Sequence, residues 1–176
     1  MKFFALIPVL AAIAFGAMGV VAQEESDIVN GIDMVTQLSA ETRTNADNIT
    51  LTNAAMEFPL VAQDFKDIVT TVTLFTKTIQ ETQTLDKEGA KAVVAVLTTF
   101  VDVHKALLNV VIGKHSIAAR VFFTRPIAAV LRALEAAIDS LATDLIAIIP
   151  SETDHANGQF ASLGLTLQMA LDTYKN

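Results

Sequence analysis

Cysteine is absent from the 176 residues and histidine occurs only three times. Without cysteine there is no disulfide framework and no thiolate nucleophile or metal ligand, so the chain must hold together by packing alone. His104, His115 and His155 are too far apart in sequence to share one helical turn, and neither an H-E-x-x-H motif nor an EF-hand loop accompanies them. No G-x-S-x-G turn presents a serine and no glycine-rich loop cradles a phosphate. Glu135 with Asp139, and Asp64 with Asp67, are carboxylate pairs at helical spacing, but nothing in their surroundings buries them, so they read as solvated faces. The sequence therefore points away from an enzyme and calls for no cofactor and no metal. Basic residues are scarce as well. Twelve Lys and Arg against nineteen Asp and Glu give a net charge of −7, which disfavours nucleic acid or an anionic membrane surface as an electrostatic partner.

What is abundant is apolar residue at helical spacing. Ile127, Leu131, Leu134, Ile138, Leu141, Leu145 and Ile148 recur at steps of four and three, which places them along one side of a helix over 127–149. Arg132, Glu135, Asp139 and Asp144 occupy the other sides, and a membrane span of that length would not carry four charges at such depths. Thr124 is the expected cap, Pro126 suits the first turn, and Pro150 stops the helix. A stripe of this kind requires partner helices.

The chain opens with Lys2, an apolar run through Phe15, Gly16 to Gly19 and small residues up to Ala22, the layout of a secretory leader over 1–22 cleaved after Ala22. The remaining 23–176, about 154 residues, is the size of one domain. Ser26 is a plausible cap for a helix whose stripe is Ile28, Ile32, Val35 and Leu38. Thr42, Asn45, Ile49, Thr52 and Met56 continue the seam at heptad spacing, which predicts one long helix reaching Glu57, with a break over 44–48 as the alternative. Asn48-Ile49-Thr50 is an N-glycosylation acceptor, chemically available in an exported chain. Phe58-Pro59 marks a boundary. A second helix follows along Phe65, Val69, Val72, Thr76 and Ile79, flanked by Ile68 and Phe75, and its threonine-rich remainder reads as a polar exterior open to O-mannosylation or as a row that bonds a ligand.

Leu85-Asp86-Lys87-Glu88 forms a turn and cap into a third helix with the seam Ala90, Val93, Leu97, Phe100, His104, Leu107 and Val111, where His104 reads as a hydrogen-bonded packing residue. Gly113 to Ser116 end it. Beyond Pro150, Ser151-Glu152-Thr153-Asp154 looks like a variant capping box opening a last helix along Ala156, Phe160, Leu163, Leu167, Ala170 and Tyr174. The fold class is all-α: an antiparallel bundle of four to five helices without disulfides.

The seams mix bulky Phe65, Phe75 and Phe100 with Ala128, Ala129, Ala133, Ala136 and Ala137, a combination that leaves room between helices or simply lets them pack closely. Empty space costs about 24 cal/mol per Å³, and an acyl chain filling it would remove that cost.

The order of segments resembles a known family. The leader, the Ile28-Ile32-Val35-Leu38 helix, the Asn53-Ala54-Ala55-Met56-Glu57-Phe58 stretch, the passage from Leu107-Leu108-Asn109-Val110-Val111-Ile112-Gly113-Lys114 to Leu145-Ile146-Ala147-Ile148-Ile149-Pro150, and a final helix closing near Tyr174 are similar to fungal hydrophobic surface-binding proteins and cell-wall galactomannoproteins. The likeness spans nearly the whole mature chain and rests on patterned Ala, Leu, Val and Thr, not on a unique motif. It implies a helical bundle, secretion or wall association, fatty-acid binding in some members and adsorption to apolar surfaces in others, and it brings no catalytic residues. The first helix is longer than the family's usual one, and Phe122-Phe123 is bulkier than the small residues expected in that connection, which bears on the shape of any pocket.

The expected function is a secreted or wall-associated protein that binds a fatty acid or other apolar lipid between its helices. From the seams alone, the lining would comprise Phe65, Val69, Val72, Phe75, Leu97, Phe100, Leu131, Leu134, Ile138, Leu163 and Leu167, with a glycan at Asn48. The competing expectation is a structural or adhesive protein that coats hydrophobic surfaces without an internal site. Cell-wall polysaccharide would be reached through glycans.

Overall fold

The computed structural model describes residues 8–175, with side chains described from residue 24 onward. The side chains of the secretory leader expected over 1–22 lie outside the described residues. Among the described residues six α-helices follow one another: α1 (Pro8–Asp47), α2 (Ala54–Glu81), α3 (Lys87–Gly113), the short α4 (His115–Arg120), α5 (Thr124–Ile148) and α6 (Thr153–Thr173), with a 3₁₀ turn at Pro150–Glu152 before the last. Among the described residues there is no strand, so the all-α bundle expected from the periodicity is the fold.

Each long helix packs chiefly on two others, in the closed order α1, α2, α5, α6, α3 and back to α1. Asn45 of α1 bonds Asp64 of α2 at 2.8 Å, level with α1's end and α2's first turns, so these two run antiparallel. Ser39 lies level with His104 and Asp47 with Lys114, so α1 and α3 run parallel. Phe58 stacks on Phe123 at the start of α2 and α5, and Gln80 bonds Asp144 near their ends, so these too are parallel. Helices that alternate in direction along the chain therefore close into a five-membered ring, and the edge that each presents inward is its apolar stripe. The α3 stripe of Ala90, Val93, Leu97, Phe100, His104, Leu107 and Val111 is buried throughout, as are the expected stripes of α5 and α6.

Several boundaries differ from the sequence expectation, each for a local reason. The first helix does not reach Glu57. It ends at Asp47, and the chain turns over 48–53 so that α2 can fold back on α1 and bury Ile49, Ala54 and Phe58. The Lys114 ammonium donates to the carbonyls of Asp47 and Ile49 at 2.7 and 2.9 Å, capping the negative end of α1. Asn53 closes the turn, accepting from the Thr50 N–H at 2.7 Å and donating to the Asn48 carbonyl at 3.1 Å. Phe58-Pro59 is not a boundary: α2 starts at Ala54 and carries Pro59 within it, on the solvent side, while buried Phe58 stays helical against the Phe123 ring, 5.9 Å away.

Ser26 is not a cap but sits inside α1, which enters that region already helical. Thr124 is the first helical residue of α5 and makes no cap bond. The capping box after Pro150 gives way to the 3₁₀ turn, in which the Thr153 hydroxyl donates to the Pro150 carbonyl at 3.1 Å and Glu152 pairs with His155 at 2.8 Å. The Asp86 cap forms as expected, its carboxylate accepting from the Gly89 N–H at 2.9 Å.

The α4–α5 connection is a Schellman turn made without glycine. The Phe123 N–H reaches the Ala118 carbonyl at 2.8 Å and the Phe122 N–H reaches that of Ala119 at 3.3 Å, which forces Phe122 to a φ of 59°. Its side chain is 90% exposed, so no packing offsets the strain. The left-handed conformation costs an L residue about 1–2 kcal/mol. Phe122→Gly should therefore stabilise the fold by about 1 kcal/mol, read as an upward shift of the urea midpoint at unchanged slope.

Candidate functional site

The ring interior is the candidate site. Phe65, Val72, Phe75, Leu97, Phe100, Leu131, Leu134, Ile138, Leu163 and Leu167 are all buried in one apolar cluster drawn from α2, α3, α5 and α6, whereas Val69 is half-buried on the flank of α2. Helix α1 completes the cluster with Ile28, Ile32 and Val35, which the expected lining did not include.

Two solvent-open grooves run along either side of α2. One, of about 480 Å³, lies between α2 and α5 and is lined by Val69, Thr73, Thr76, Lys77 and Gln80 facing Ala133, Ala136, Ala137 and Ser140. The other, of about 430 Å³, lies between α1 and α2 and is lined by Asn30, Gly31, Met34, Thr71, Leu74, Phe75 and Thr78, with Asp27 at its rim. Both volumes fall in the range typical of small-ligand sites. The alanines of α5 thus leave room beside α2. The Phe75 ring lies over Gly31, close enough that a methyl group on that residue would overlap its edge.

The threonines of α2, and Thr82 just past its end, bond to their own helix. Thr70, Thr71, Thr73, Thr76 and Thr82 each donate to the carbonyl four residues earlier, at 2.7 to 2.9 Å. Their hydroxyl hydrogens are therefore satisfied without a ligand.

One polar pair interrupts the interior. Ser39 of α1 and His104 of α3 are both 0% exposed. Ser39 Oγ lies 2.8 Å from His104 Nδ1 and 2.7 Å from the Val35 carbonyl oxygen. The imidazole also packs on Phe100, with ring centroids 4.8 Å apart. Its Nε2 is buried without a hydrogen-bond partner. Burial lowers the His104 pKa to about 4, so the ring is neutral at pH 7. Nearer the α3 C-terminus, the buried Tyr174 hydroxyl donates to the Val111 carbonyl at 2.8 Å, and burial raises its pKa; the His115 ring meets the Tyr174 ring edge-on at 5.0 Å. Among the described residues, no cluster of three His, Asp or Glu side chains could hold a metal.

Sequence reasoning missed Ser39 because it placed Leu38 on the first seam. The buried edge of α1 instead reads Ile28, Ile32, Val35, Ser39, Thr42 and Ala46. The unbroken four-and-three spacing of that series was the available signal, masked by the two hydroxyl residues at its centre.

No protein-family model matches the chain, and no curated protein matches it in sequence. Solved structures do share its fold. AfMP4p in complex with palmitic acid superposes with a TM-score of 0.81 at 12% identity, over 85% of this chain and 99% of that one. Ligand-binding domain 1 of the Penicillium marneffei MP1 protein, complexed with arachidonic acids, gives 0.72 at 15% identity over 84% and 98% of the two chains. Ligand-binding domain 2 of the same protein, complexed with multiple arachidonic acids, gives 0.77 at 12% identity over 87% and 95%.

Gly31→Ala should destabilise the fold by about 1–3 kcal/mol by pushing Phe75 off its seat, and adding Phe75→Leu should recover part of that loss in the same denaturant titration. A second expectation concerns acid. The His104 pKa falls from about 6.5 unfolded to about 4 folded, so the unfolded state binds the extra proton. The stability due to the neutral ring is complete above pH 6.5 and is lost as pH falls towards 4, about 3 kcal/mol in all. Unfolding free energies measured across that window should fall more steeply for the parent chain than for His104→Leu.

Proposed function

We propose that this protein binds a fatty acid or similar apolar lipid inside its five-helix ring, as a carrier or scavenger and not as an enzyme. The observation that carries this reading is the ring itself: five apolar edges facing one axis, in the same fold as proteins solved in complex with palmitic and arachidonic acids. Side chains occupy the axis, so a bound acyl chain takes its space by moving them apart. Helix α2, with grooves on both flanks, has space beside it into which it can shift. On the same reading the chain is a member of the fungal cell-wall galactomannoproteins and hydrophobic surface-binding proteins, which its segment order resembles. It is read as a secreted protein with a leader over 1–22 and a single ligand-binding domain over 23–176. Asn48 is exposed in the turn after α1, which suits an N-glycan, and glycans would provide contact with wall polysaccharide.

A second reading, adsorption to hydrophobic surfaces, has its own support. Leu51, Met56 and Leu60 are exposed on the turn after α1 and the start of α2, and Phe122 is exposed on the connection into α5, at the same end of the bundle. Native mass spectrometry of the chain incubated with palmitate should show a one-to-one or higher complex, and saturating palmitate at a hundred times the Kd should add about 2.7 kcal/mol to stability. If palmitate neither stays bound nor raises the melting temperature, while the protein still coats an alkyl surface, the adhesive reading replaces the carrier.

A further inference from the structure

We propose that His104, positioned by Ser39, is the polar anchor that receives the carboxyl head of the lipid held in the ring. This rests on the lipid-binding reading above and adds to it the residue that would distinguish an acid from a neutral lipid.

A buried ring nitrogen without a partner is costly, because water is no longer there to satisfy it. Replacing His104 by an aliphatic residue would remove that cost, so the imidazole is a poor choice for packing alone. Its geometry suits a ligand instead. The Ser39 hydroxyl has one hydrogen and two neighbours: the Val35 carbonyl at 2.7 Å, which can only accept, and His104 Nδ1 at 2.8 Å. With that hydrogen on the carbonyl, Ser39 Oγ accepts from Nδ1–H. The proton of the neutral ring is then on Nδ1, and Nε2 presents a bare lone pair to the interior.

A carboxylate arriving from water would leave a bare anion in the apolar ring. Taking one proton from solvent avoids this. The proton lies between the carboxyl oxygen and Nε2, either as acid with neutral imidazole or as carboxylate with imidazolium, and both forms are net neutral. Ser39 accepts Nδ1–H in each. The groups facing the imidazole are Ser39 from α1 and Phe100 from α3, and burial is the sole cause acting on its titration. Binding should therefore weaken as pH rises above neutrality, where the proton must be drawn from a more dilute supply.

The position leaves length for the tail once the side chains along the axis move apart. From His104 back to the first residue of α3 the ring extends for about 25 Å, past Phe100, Leu97, Val93, Val72 and Ile138, all buried. Lys105, the next residue in sequence, is a competing cation, but its ammonium donates to Ser162 at 2.7 Å on the α3–α6 side.

The test compares palmitate with methyl palmitate, which keeps the tail and lacks the ionisable head, on the whole chain. His104→Leu should weaken palmitate about ten- to hundredfold, the loss expected for a hydrogen bond to a charged group, and leave methyl palmitate unchanged. Lys105→Met should affect neither. On the unsubstituted chain, saturating palmitate should move the ¹⁵N shift of His104 Nε2, and methyl palmitate should not; this readout does not depend on any variant folding. The proposal is overturned if palmitate binds with the Nε2 shift unmoved, if His104→Leu weakens both ligands equally, or if the loss follows Lys105→Met. Those outcomes leave the lipid-binding reading standing. If the unsubstituted chain binds neither ligand, the lipid-binding reading falls and the anchor falls with it.

Discussion

Closure of the five long helices into a ring is the constraint on which the rest depends. Two packed helices need only one contact surface each, but a member of a ring must meet a neighbour on both sides and still turn an apolar edge to the axis. This sets a requirement for broad stripes, which α2 and α3 meet with adjoining residues such as Phe65 and Ile68, or Leu107 and Leu108, all buried. It also fixes the connections. Each turn has to return the chain beside its predecessor, and every one is held by a specific polar contact or backbone motif: Lys114 and Asn53 at the first, the Leu85 N–H on the Ile148 carbonyl together with the Asp86 cap at the second, the Schellman turn before α5, and the 3₁₀ turn before α6. With no disulfide available, these contacts set register while the apolar interior supplies cohesion.

A five-membered ring differs from a four-helix bundle in how its centre is filled. Four helices meet at an axis that ordinary side chains occupy completely, whereas five stand further from it, and the added width must be taken up by larger residues or by something else. Phe58, Phe65 and Phe100 are among the largest side chains wholly buried here, and they do part of that filling. An apolar guest entering such a core would replace the contacts that the displaced side chains give up. The lone imidazole among them is the exception that gives such a core a chemical preference.

Much of this was legible in the residues. The stripes of α3, α5 and α6 could be read almost position by position, because each is long, strongly periodic and bounded by a cap or a proline. The lining could be guessed as far as the seams reveal buried residues, yet the sequence could not tell which seams face one axis and which meet only a neighbour. Val69 shows the difference: its spacing put it on the α2 seam, and the ring turned it towards a groove. Local signals misled where tertiary contacts overruled them. Proline at 59 suggested a break that burial of Phe58 prevents, and heptad spacing carried α1 through a turn imposed by antiparallel packing of α2. Ser39 was hidden for a different reason, since a hydroxyl on a buried edge looks like an interruption until its partner on another helix is known.

The threonines of α2 carry a consequence for how that helix looks from outside. A hydroxyl that has given its hydrogen to its own backbone turns its methyl group outward and offers a passing water only a crowded oxygen. On the outer side of α2, Thr70, Thr71 and Thr73 form a surface that counts as polar by composition but whose hydroxyl hydrogens are already taken. A droplet of oil would meet less resistance along this stave than a tally of its threonines suggests.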